Sequence, residues 1–204
     1  MFFSIDGGDG TGKSTQIDRF CRWLESQGHD VVTCRDPGTT LLGEAIRDLL
    51  LNRHDLSIHR RSEMFLYMAA RAQLVEEVIR PALDSGKTVV SDRYLLANVV
   101  YQGHAGGLDV DTLWQVGYTA TDHLAPDLTI VLDLPSEAAA ARLSGELDRM
   151  EKQGPEFHSR VRRGFLEEAE RQAHIAVVDA SQDIDEVAAD IQAAAAAEMV
   201  KAAR

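Results

Sequence analysis

The chain has 204 residues, of which 45% are hydrophobic and 26% are charged, and its formal net charge is −12. This composition is ordinary for a soluble globular protein, and the acidic balance argues against a nucleic-acid-binding surface, which requires a basic face. No apolar run approaches the roughly 20 residues of a membrane span. Because the sequence begins with the first predicted strand, we expect no signal peptide, a cytoplasmic location and a single domain over residues 1–204.

Five short apolar runs, rich in Val and Ile, alternate with longer helical patterns. The runs are continuous rather than alternating, which is typical of strands in a parallel sheet buried on both faces. The predicted strands cover residues 2–5, 31–34, 88–91, 128–132 and 175–178. With helices between them, they predict an α/β fold with a doubly wound, five-stranded parallel sheet.

A glycine-rich segment directly follows the first predicted strand. Residues 7–14 read Gly-Gly-Asp-Gly-Thr-Gly-Lys-Ser, the phosphate-loop pattern, and an amphipathic helical pattern comes next. Backbone N–H groups of such a loop converge on a phosphate, Lys13 can reach the β- and γ-phosphates of a nucleoside triphosphate, and the Ser14 hydroxyl can bind Mg²⁺. The residues expected to contact the nucleotide here are Gly7, Gly8, Asp9, Gly10, Thr11, Gly12, Lys13, Ser14 and Thr15.

Asp9 is unusual within a loop that binds anions, because its carboxylate would repel phosphate. It could face Mg²⁺ or accept a hydrogen bond from a sugar hydroxyl of the acceptor. It could also be only a turn residue, since Asp-Gly favours turns. We favour the functional interpretation.

The longest helical pattern covers residues 61–85 and ends before Gly86. Its expected buried positions are Leu66, Ala70, Leu74, Val78 and Ala82. Tyr67 and Arg71 lie four residues apart and therefore on one helical face. A ring that stacks on a base and a guanidinium that contacts its edge would form an acceptor pocket, although such pairs also occur in ordinary helix packing.

Asp92 and Arg93 follow the third predicted strand directly. Ligands of open α/β sheets bind beyond the carboxyl ends of the strands, so Asp92 could bind Mg²⁺ and Arg93 could hold phosphoryl oxygens. The alternative is a surface ion pair. Next to a phosphate loop, we favour the functional interpretation.

A basic region lies between residues 142 and 163, around a segment with few apolar residues. Its arginines are Arg142, Arg149, Arg160, Arg162 and Arg163. The region predicts a mobile lid at about residues 143–156, whose arginine stabilises the transferring phosphoryl group. The alternative is a solvated loop with internal ion pairs; we favour catalysis for Arg149 and the solvated loop for Arg162 and Arg163. Beyond the last strand, we expect a helix capped by Ser181.

Taken together, these motifs resemble those of the thymidylate kinase family, in the bacterial type with a lid arginine. The resemblance covers nearly the whole chain. The segments that carry it are the phosphate loop extended to 6–16, Arg-Asp-Pro-Gly at 35–38 with Gly-Glu-Ala-Ile-Arg at 43–47, Tyr-Met-Ala-Ala-Arg at 67–71, Asp-Arg-Tyr at 92–94 with Tyr-Gln at 101–102, and Gly-Glu-Leu-Asp-Arg at 145–149.

The resemblance implies a phosphate-loop nucleoside monophosphate kinase fold with a helical lid, and transfer of phosphate from ATP to dTMP with Mg²⁺ by a homodimer in dTTP biosynthesis. It implies that Lys13, Arg93, Arg149 and Asp9 take part in catalysis, that Ser14 and Asp92 hold the metal, and that Arg142 contacts ATP. The acceptor residues that it implies are Asp9, Pro37, Arg47, Tyr67, Arg71, Arg93, Asn98, Tyr101 and Gln102. Tyr101 would crowd the sugar 2′ position.

The sequence departs from the family pattern at a few positions. Asp6 and Asp36 stand where the family usually has Glu, Thr39 replaces a glycine, and Ala97 replaces a serine. Two other functions remain open at this point: a kinase for another nucleotide or nucleoside, and a nucleotide-dependent switch without transfer activity. A nucleoside acceptor would need a general base, for which Asp9 is a candidate.

Overall fold

The centre of the computed structural model, which describes residues 1–53, 55–143 and 149–202, is a five-stranded parallel sheet. Its strands are β1 (Phe2–Gly7), β2 (Val31–Arg35), β3 (Thr88–Asp92), β4 (Leu128–Asp133) and β5 (Ile175–Asp179). Their order across the sheet is β2-β3-β1-β4-β5, and every neighbouring pair is parallel. The five predicted strands are confirmed, and each extends one or two residues further at its carboxyl end.

Helices cover both faces of the sheet, as expected for a doubly wound fold. The helices are α1 (Lys13–Ser26), α2 (Leu41–Leu51), α3 (Arg60–Leu74), α4 (Arg80–Asp84), α5 (Leu95–Asn98), α6 (Val110–Ala120), α7 (Ser136–Arg142), α8 (Pro155–Arg171) and α9 (Ile184–Ala202). Phe3 and Ile5 of β1 pack in one apolar cluster with α1 and α9, whereas Phe2 packs in another with α3 and α6. Side chains of a strand alternate between faces, so a continuous apolar run fits a sheet covered on both sides.

The strand order places the ends of β1 and β3 side by side. β1 lies between β3 and β4, and Ile5 pairs in register with Asp92. Because the strands are parallel, the phosphate loop after β1 and the Asp92-Arg93 pair after β3 meet at the same edge of the sheet. This edge is where ligands of open α/β sheets bind.

The long helix differs from the regular helix that its sequence predicts. Its middle, Val75–Ile79, is a π-helical turn between α3 and α4. The wider turn rotates the residues that follow, so Val75 and Ile79 are buried while Val78 is only half-buried. Of the expected stripe, Ala70, Leu74 and Ala82 are buried, whereas Leu66 and Val78 are half-buried and pack against the core.

A second π-helical segment, Val99–His104, follows α5 and was not predicted. It contains Tyr101 and Gln102, which are buried and face the ligand cleft described below. π-Helical turns occur frequently at functional sites, where an extra residue redirects side chains.

Two expectations for the carboxyl-terminal half of the chain concern the cap of α9 and the lid. α9 begins at Ile184, and the Ser181 hydroxyl donates to Asp179 Oδ1 at 2.6 Å, so Ser181 is not its cap. Asp183 fills that position, because its Oδ1 accepts the Asp185 backbone N–H at 2.9 Å. Of the predicted lid at about residues 143–156, residues 144–148 lie outside the described residues, residues 149–153 form turns and a bend, and α8 begins at Pro155.

Candidate functional site

The loop between β1 and α1 has the backbone conformation of an anion cradle. Gly10 and Gly12 have φ values of +79° and +89°, which a residue with a side chain rarely adopts. A Cβ at Gly10 would lie 2.2 Å from the Ala139 carbonyl oxygen, so no side chain fits there. α1 begins at Lys13, so the backbone N–H groups of its first turn, which have no partner within the helix, lie at this loop.

A polar cleft lies beside this loop and contains most of the residues predicted to contact ATP and metal. Lys13 Nζ donates to the carbonyl oxygens of Gly8 and Gly7 at 2.7 and 3.3 Å. The cleft is lined by Asp9, Gly10, Gly12, Lys13, Ser14, Thr15, Arg35, Asp36, Arg47, Asp92, Arg93, Arg142 and Glu151. Gly8 and Thr11 line an adjoining cleft between α7 and α8. We refer to the first of these as the phosphate cleft.

The donor set of the phosphate cleft fits a magnesium ion. Ser14 and Asp92 both line it, and the buried Asp92 Oδ1 has no hydrogen-bond partner among the described residues. Carboxylate and hydroxyl oxygens are the ligands that Mg²⁺ takes at nucleotide sites. The positions are therefore consistent with the predicted metal role of these two residues.

Arg93 occupies the junction between strand ends. Its φ is +66°, an uncommon value for a residue with a side chain, and its backbone is held by the Arg93 N–H donating to Ile5 O at 3.0 Å and by Ser91 Oγ donating to Arg93 O at 2.6 Å. The guanidinium donates to Gly7 O at 2.9 Å, to Asp9 Oδ1, and to Tyr101 Oη at 3.3 Å. The strained backbone thus directs a cation toward the phosphate loop.

Asp9 is held as an anion by its neighbours. The Tyr101 hydroxyl donates to Asp9 Oδ2 at 2.8 Å, and Arg93 donates to Oδ1. Burial opposes ionisation of Asp9, but the charges of Arg93 and Lys13 outweigh it and hold the pKa of this carboxyl below its ordinary value. Arg93 and Tyr101 therefore occupy the two carboxylate oxygens of Asp9.

All nine residues predicted to contact the acceptor line one cavity, which we call the acceptor cavity. Its lining is Asp9, Asp36, Pro37, Arg47, Leu51, Tyr67, Arg71, Arg93, Ala97, Asn98, Tyr101, Gln102 and Met150. Asp9, Asp36, Arg47 and Arg93 line both this cavity and the phosphate cleft. The two spaces therefore meet at a boundary that carries two arginines.

The inner end of the acceptor cavity is a chain of buried polar side chains. Arg71 donates to Asp36 Oδ2 at 2.5 Å and to Asn98 Oδ1 at 3.2 Å, and Asn98 Nδ2 donates to Gln102 Oε1 at 2.6 Å. Arg71 is only 1% exposed, and the Asp36 carboxylate compensates its charge. Fixed donors and acceptors of this kind can recognise the edge of a planar base, while Tyr67 supplies an aromatic ring to the cavity wall.

The outer end of the acceptor cavity is basic. Arg47 donates to Pro37 O at 3.1 Å, and burial, followed by the nearby charge of Arg35, lowers its pKa. Thr39 has a φ of +68° and accepts the Arg35 backbone N–H on its hydroxyl at 2.8 Å. The threonine that replaces a glycine of the family pattern therefore keeps the left-handed backbone and adds a hydrogen bond.

Arg142, predicted to contact ATP, and Arg149, the predicted lid arginine, lie in different places. Arg142 lines the phosphate cleft and donates to Ala180 O at 3.4 Å. Arg149 does not line that cleft; its Nε donates to Leu50 O and its Nη2 to Glu63 Oε2, both at 2.6 Å. Arg162 lies in α8 and forms a two-fold ion pair with Asp133 at the end of β4, so it is not part of a solvated loop as expected.

Four residues that line the acceptor cavity were not predicted as site residues: Asp36, Leu51, Ala97 and Met150. Arg35 and Glu151, which line the phosphate cleft, were not predicted either. Glu63, which binds Arg149, was also not predicted. Asp36 had a local signal, because a carboxylate directly after a strand of a parallel sheet falls at the ligand edge. Glu63 had none, since an acidic residue in the first turn of a helix is ordinary.

Comparisons with known proteins agree on one family. The family model described as thymidylate kinase matches residues 5–191. Curated thymidylate kinases of Rhodopirellula baltica and Thermosipho africanus are 48% and 41% identical to the chain over 193 residues each, which is 93% and 94% of this chain and 78% and 96% of theirs. The crystal structure of thymidylate kinase from Ehrlichia chaffeensis matches with a TM-score of 0.75 and 29% identity, over 94% of this chain and 95% of that one. With this match added to the phosphate loop and the acceptor cavity, the chain belongs to the thymidylate kinase family.

Proposed function

We propose that the chain transfers the γ-phosphoryl group of ATP to dTMP, giving dTDP and ADP, in dTTP biosynthesis. The observation that carries the proposal is the continuity of the two spaces. The acceptor cavity ends in a base-sized polar network at Arg71, and it opens past Arg93 into the phosphate cleft. An acceptor with its base at Arg71 would present its phosphate to the donor phosphate.

The inner network suits a pyrimidine base. Arg71 donates a hydrogen bond to Asn98. Gln102 donates one hydrogen of its amide NH₂ group to Glu63, and the second hydrogen can be donated to a ligand. Tyr67 can stack on the ring, and Ala97 leaves space where the family usually has a hydroxyl. The Tyr101 hydroxyl, anchored on Asp9, would lie against the sugar and favour a deoxy substrate.

The reaction needs positioning and charge compensation more than proton transfer. An oxygen of the acceptor phosphate attacks the γ-phosphorus, the bond from that phosphorus to the β–γ bridging oxygen breaks, and the leaving oxygen stays on ADP. The acceptor is already an anion, so no hydroxyl proton has to be removed. In this proposal Lys13 holds the donor phosphates, Arg93 lies between donor and acceptor, Arg47 holds the acceptor phosphate, and Arg149 joins when the lid closes.

Mg²⁺ would be held by Ser14 and Asp92, and when bound it would neutralise part of the charge on the phosphate oxygens. The unpartnered, buried Asp92 Oδ1 supports this assignment. We further propose that Arg142 contacts ATP from the side of α7, because it lines the phosphate cleft.

We also propose a cytoplasmic homodimer with a single domain. Support for the dimer comes from large apolar side chains that are exposed on two helices packed against each other: Leu41 and Leu42 on α2, exposed to 92% and 48%, and Phe65 on α3, exposed to 56%. Exposed apolar surface of this kind marks protein–protein contacts. Within the described residues, no helix is long and apolar enough to span a membrane.

A coupled ADP-release assay with Mg²⁺-ATP tests the proposed reaction. The acceptors to compare are dTMP, dUMP, UMP, CMP, AMP, dGMP and thymidine. We expect strong turnover with dTMP, weaker turnover with dUMP and little with the others. Turnover with another monophosphate alone would reject the base assignment, and ATP binding without any acceptor-dependent turnover would support a nucleotide switch instead.

We expect ATP affinity to fall with rising pH because of Lys13. Burial first, and then the charge of Arg93, lower the pKa of Lys13 to about 8. Phosphate binding favours the charged amine, so the free protein must take up a proton when it binds ATP above that pH. Raising the pH from about 7 to about 9 should weaken ATP binding about tenfold, since one pH unit beyond a pKa leaves about a tenth of the amine charged.

Isothermal titration calorimetry measures this linkage directly. At about pH 8.5, the observed enthalpy of ATP binding should differ between buffers of low and high ionisation enthalpy, in the sense of proton uptake by the protein. Lys13→Arg is the matched control, because guanidinium stays charged at this pH and removes the uptake. Equal enthalpies in both buffers for the natural chain would contradict the prediction.

A further inference from the structure

Glu63 is a buried carboxylate for which the proposed reaction has no use. It lies in the first turn of α3, and the residue is 1% exposed. Gln102 Nε2 donates to its Oε1 at 2.7 Å, and Arg149 Nη2 donates to its Oε2 at 2.6 Å. A buried carboxylate is costly unless a cation and hydrogen bonds compensate it, and here Arg149 supplies the cation.

These contacts connect the base-recognition residues with the lid arginine. Starting from Asp36, hydrogen bonds run through Arg71, Asn98 and Gln102 to Glu63, and from Glu63 to Arg149. The second anchor of Arg149 is the Leu50 carbonyl oxygen at the end of α2. The neighbouring Met150 is buried and lines the acceptor cavity. Arg149 and Met150 are therefore docked at the base end of the site.

In this arrangement Arg149 is engaged away from the phosphates. The residues lining the phosphate cleft include Lys13, Arg47, Arg93 and Arg142, but Arg149 is not among them. Its guanidinium contacts with described residues go to groups on α2 and α3. To reach a transferring phosphoryl group, it must leave Glu63, whose charge would then stay buried beside one neutral donor.

We propose that Glu63 is a positioning residue that holds the lid arginine Arg149 at the acceptor end of the site until transfer, a role that rests on the proposed function. The ion pair competes with the phosphates for the same guanidinium. It therefore keeps Arg149 from stabilising phosphoryl transfer to water when the acceptor is absent. Through Gln102, the strength of the pair depends on the residues that contact the base.

Limited trypsin digestion of the Glu63→Gln variant tests the position of Arg149 without an activity measurement. The amide keeps an oxygen for Gln102, but its NH₂ group faces a guanidinium that has only donors. Cleavage after Arg149 requires this arginine to leave its anchors, and loss of a charged hydrogen bond should raise the rate about tenfold. Cleavage after Lys201, whose side chain is 69% exposed, should be unchanged.

Glu76→Gln is the matched control, because Glu76 pairs with Arg80 on the exposed side of the same helical segment. It should leave cleavage after Arg149 at the natural rate. Hydrogen–deuterium exchange separates a local from a global effect: in Glu63→Gln, exchange should rise in residues 149–153 and stay constant in β1 and β3. Unchanged cleavage after Arg149, or faster exchange throughout the sheet, would overturn the proposed positioning role.

Hydrolysis of ATP in the absence of dTMP provides a second measurement. Loss of a positioning role of Glu63 and loss of a purely structural role would change it in opposite directions. Freed from Glu63, Arg149 should raise hydrolysis without dTMP about tenfold, whereas a general loss of structure should lower it. If the unsubstituted protein showed no dTMP kinase activity, the proposed function would be rejected. The trypsin experiment would still decide whether Glu63 holds Arg149. A decrease in acceptor-independent hydrolysis in a folded Glu63→Gln variant would count against the competition between Glu63 and phosphate.

Discussion

Replacing Arg93 with Met should lower kcat for phosphoryl transfer from ATP to dTMP about 10³-fold, the largest effect that we expect from one substitution. Arg93 lines both the acceptor cavity and the phosphate cleft, and its side chain is anchored on Gly7 O and Asp9. Positively charged groups fixed at the transferring phosphoryl group are worth about 10²- to 10⁵-fold in rate. Methionine fills a similar volume without the charge.

The same change should also weaken the fold. Asp9 would lose its cation in a mostly buried position, and breaking a buried ion pair costs about 3–5 kcal/mol. The Asp9 side chain is 18% exposed, so we expect a loss of stability at the lower end of that range. Steady-state kinetics and a chemical denaturation curve measure the two effects separately.

A double variant distinguishes the two causes of lost activity. Asp9→Asn added to Arg93→Met removes the unpaired charge and should restore much of the stability, but not kcat. Arg80→Met provides the control for loss of an ion-paired arginine, since Arg80 pairs with Glu76 and Asp122 away from the site. Recovery of kcat in the double variant would show that Arg93 acts only by compensating Asp9.

Replacing Arg149 with Ala should lower kcat about 10²- to 10³-fold, the scale for loss of one donor to the transition state. The described structure places Arg149 on Glu63 and Leu50 O, so this prediction requires the lid to move before transfer. Because the guanidinium also braces the base end of the acceptor cavity, KM for dTMP should change by a smaller factor. Initial rates over a range of dTMP concentrations separate kcat from KM.

Arg149→Lys is the informative comparison. A lysine keeps one positive charge but cannot donate in two directions from a planar group, so an intermediate kcat is expected. If Arg149→Ala had the same kcat as the unsubstituted protein, a catalytic role for the lid arginine would be excluded. The Glu63–Arg149 pair would then be only a structural contact.

Local sequence was sufficient to predict the phosphate loop and the start of α1. Gly10 and Gly12 have the positive φ values that their motif demands, and α1 starts at Lys13, as the spacing of the loop predicts. The strands were also predictable, because each is an uninterrupted apolar run that only a sheet covered on both faces can bury. Their carboxyl ends were underestimated, since polar residues such as Asp92 continue the pairing into the site.

The regular periodicity of the long helix did not reveal its π-helical turn. A helical pattern assumes a constant rotation per residue, and one wide turn changes which later residues face the core. Val75 and Ile79 lie in the core beside the expected Leu74 and Ala82, whereas Val78 is half-buried against it. The second such turn, Val99–His104, contains Tyr101 and Gln102, and no local signal in the sequence marked it.

The sequence by itself determined the fold class, the phosphate loop and, through resemblance, the residues around the acceptor cavity. Only the tertiary structure decided which of these groups contact one another. Arg71 meets Asp36 across 35 positions, and Arg149 meets Glu63 across 86. A backbone motif depends on neighbours in the chain, whereas a buried charge must be compensated by whatever group the packing of helices brings to it, so the partner of Glu63 could be seen only in the folded chain.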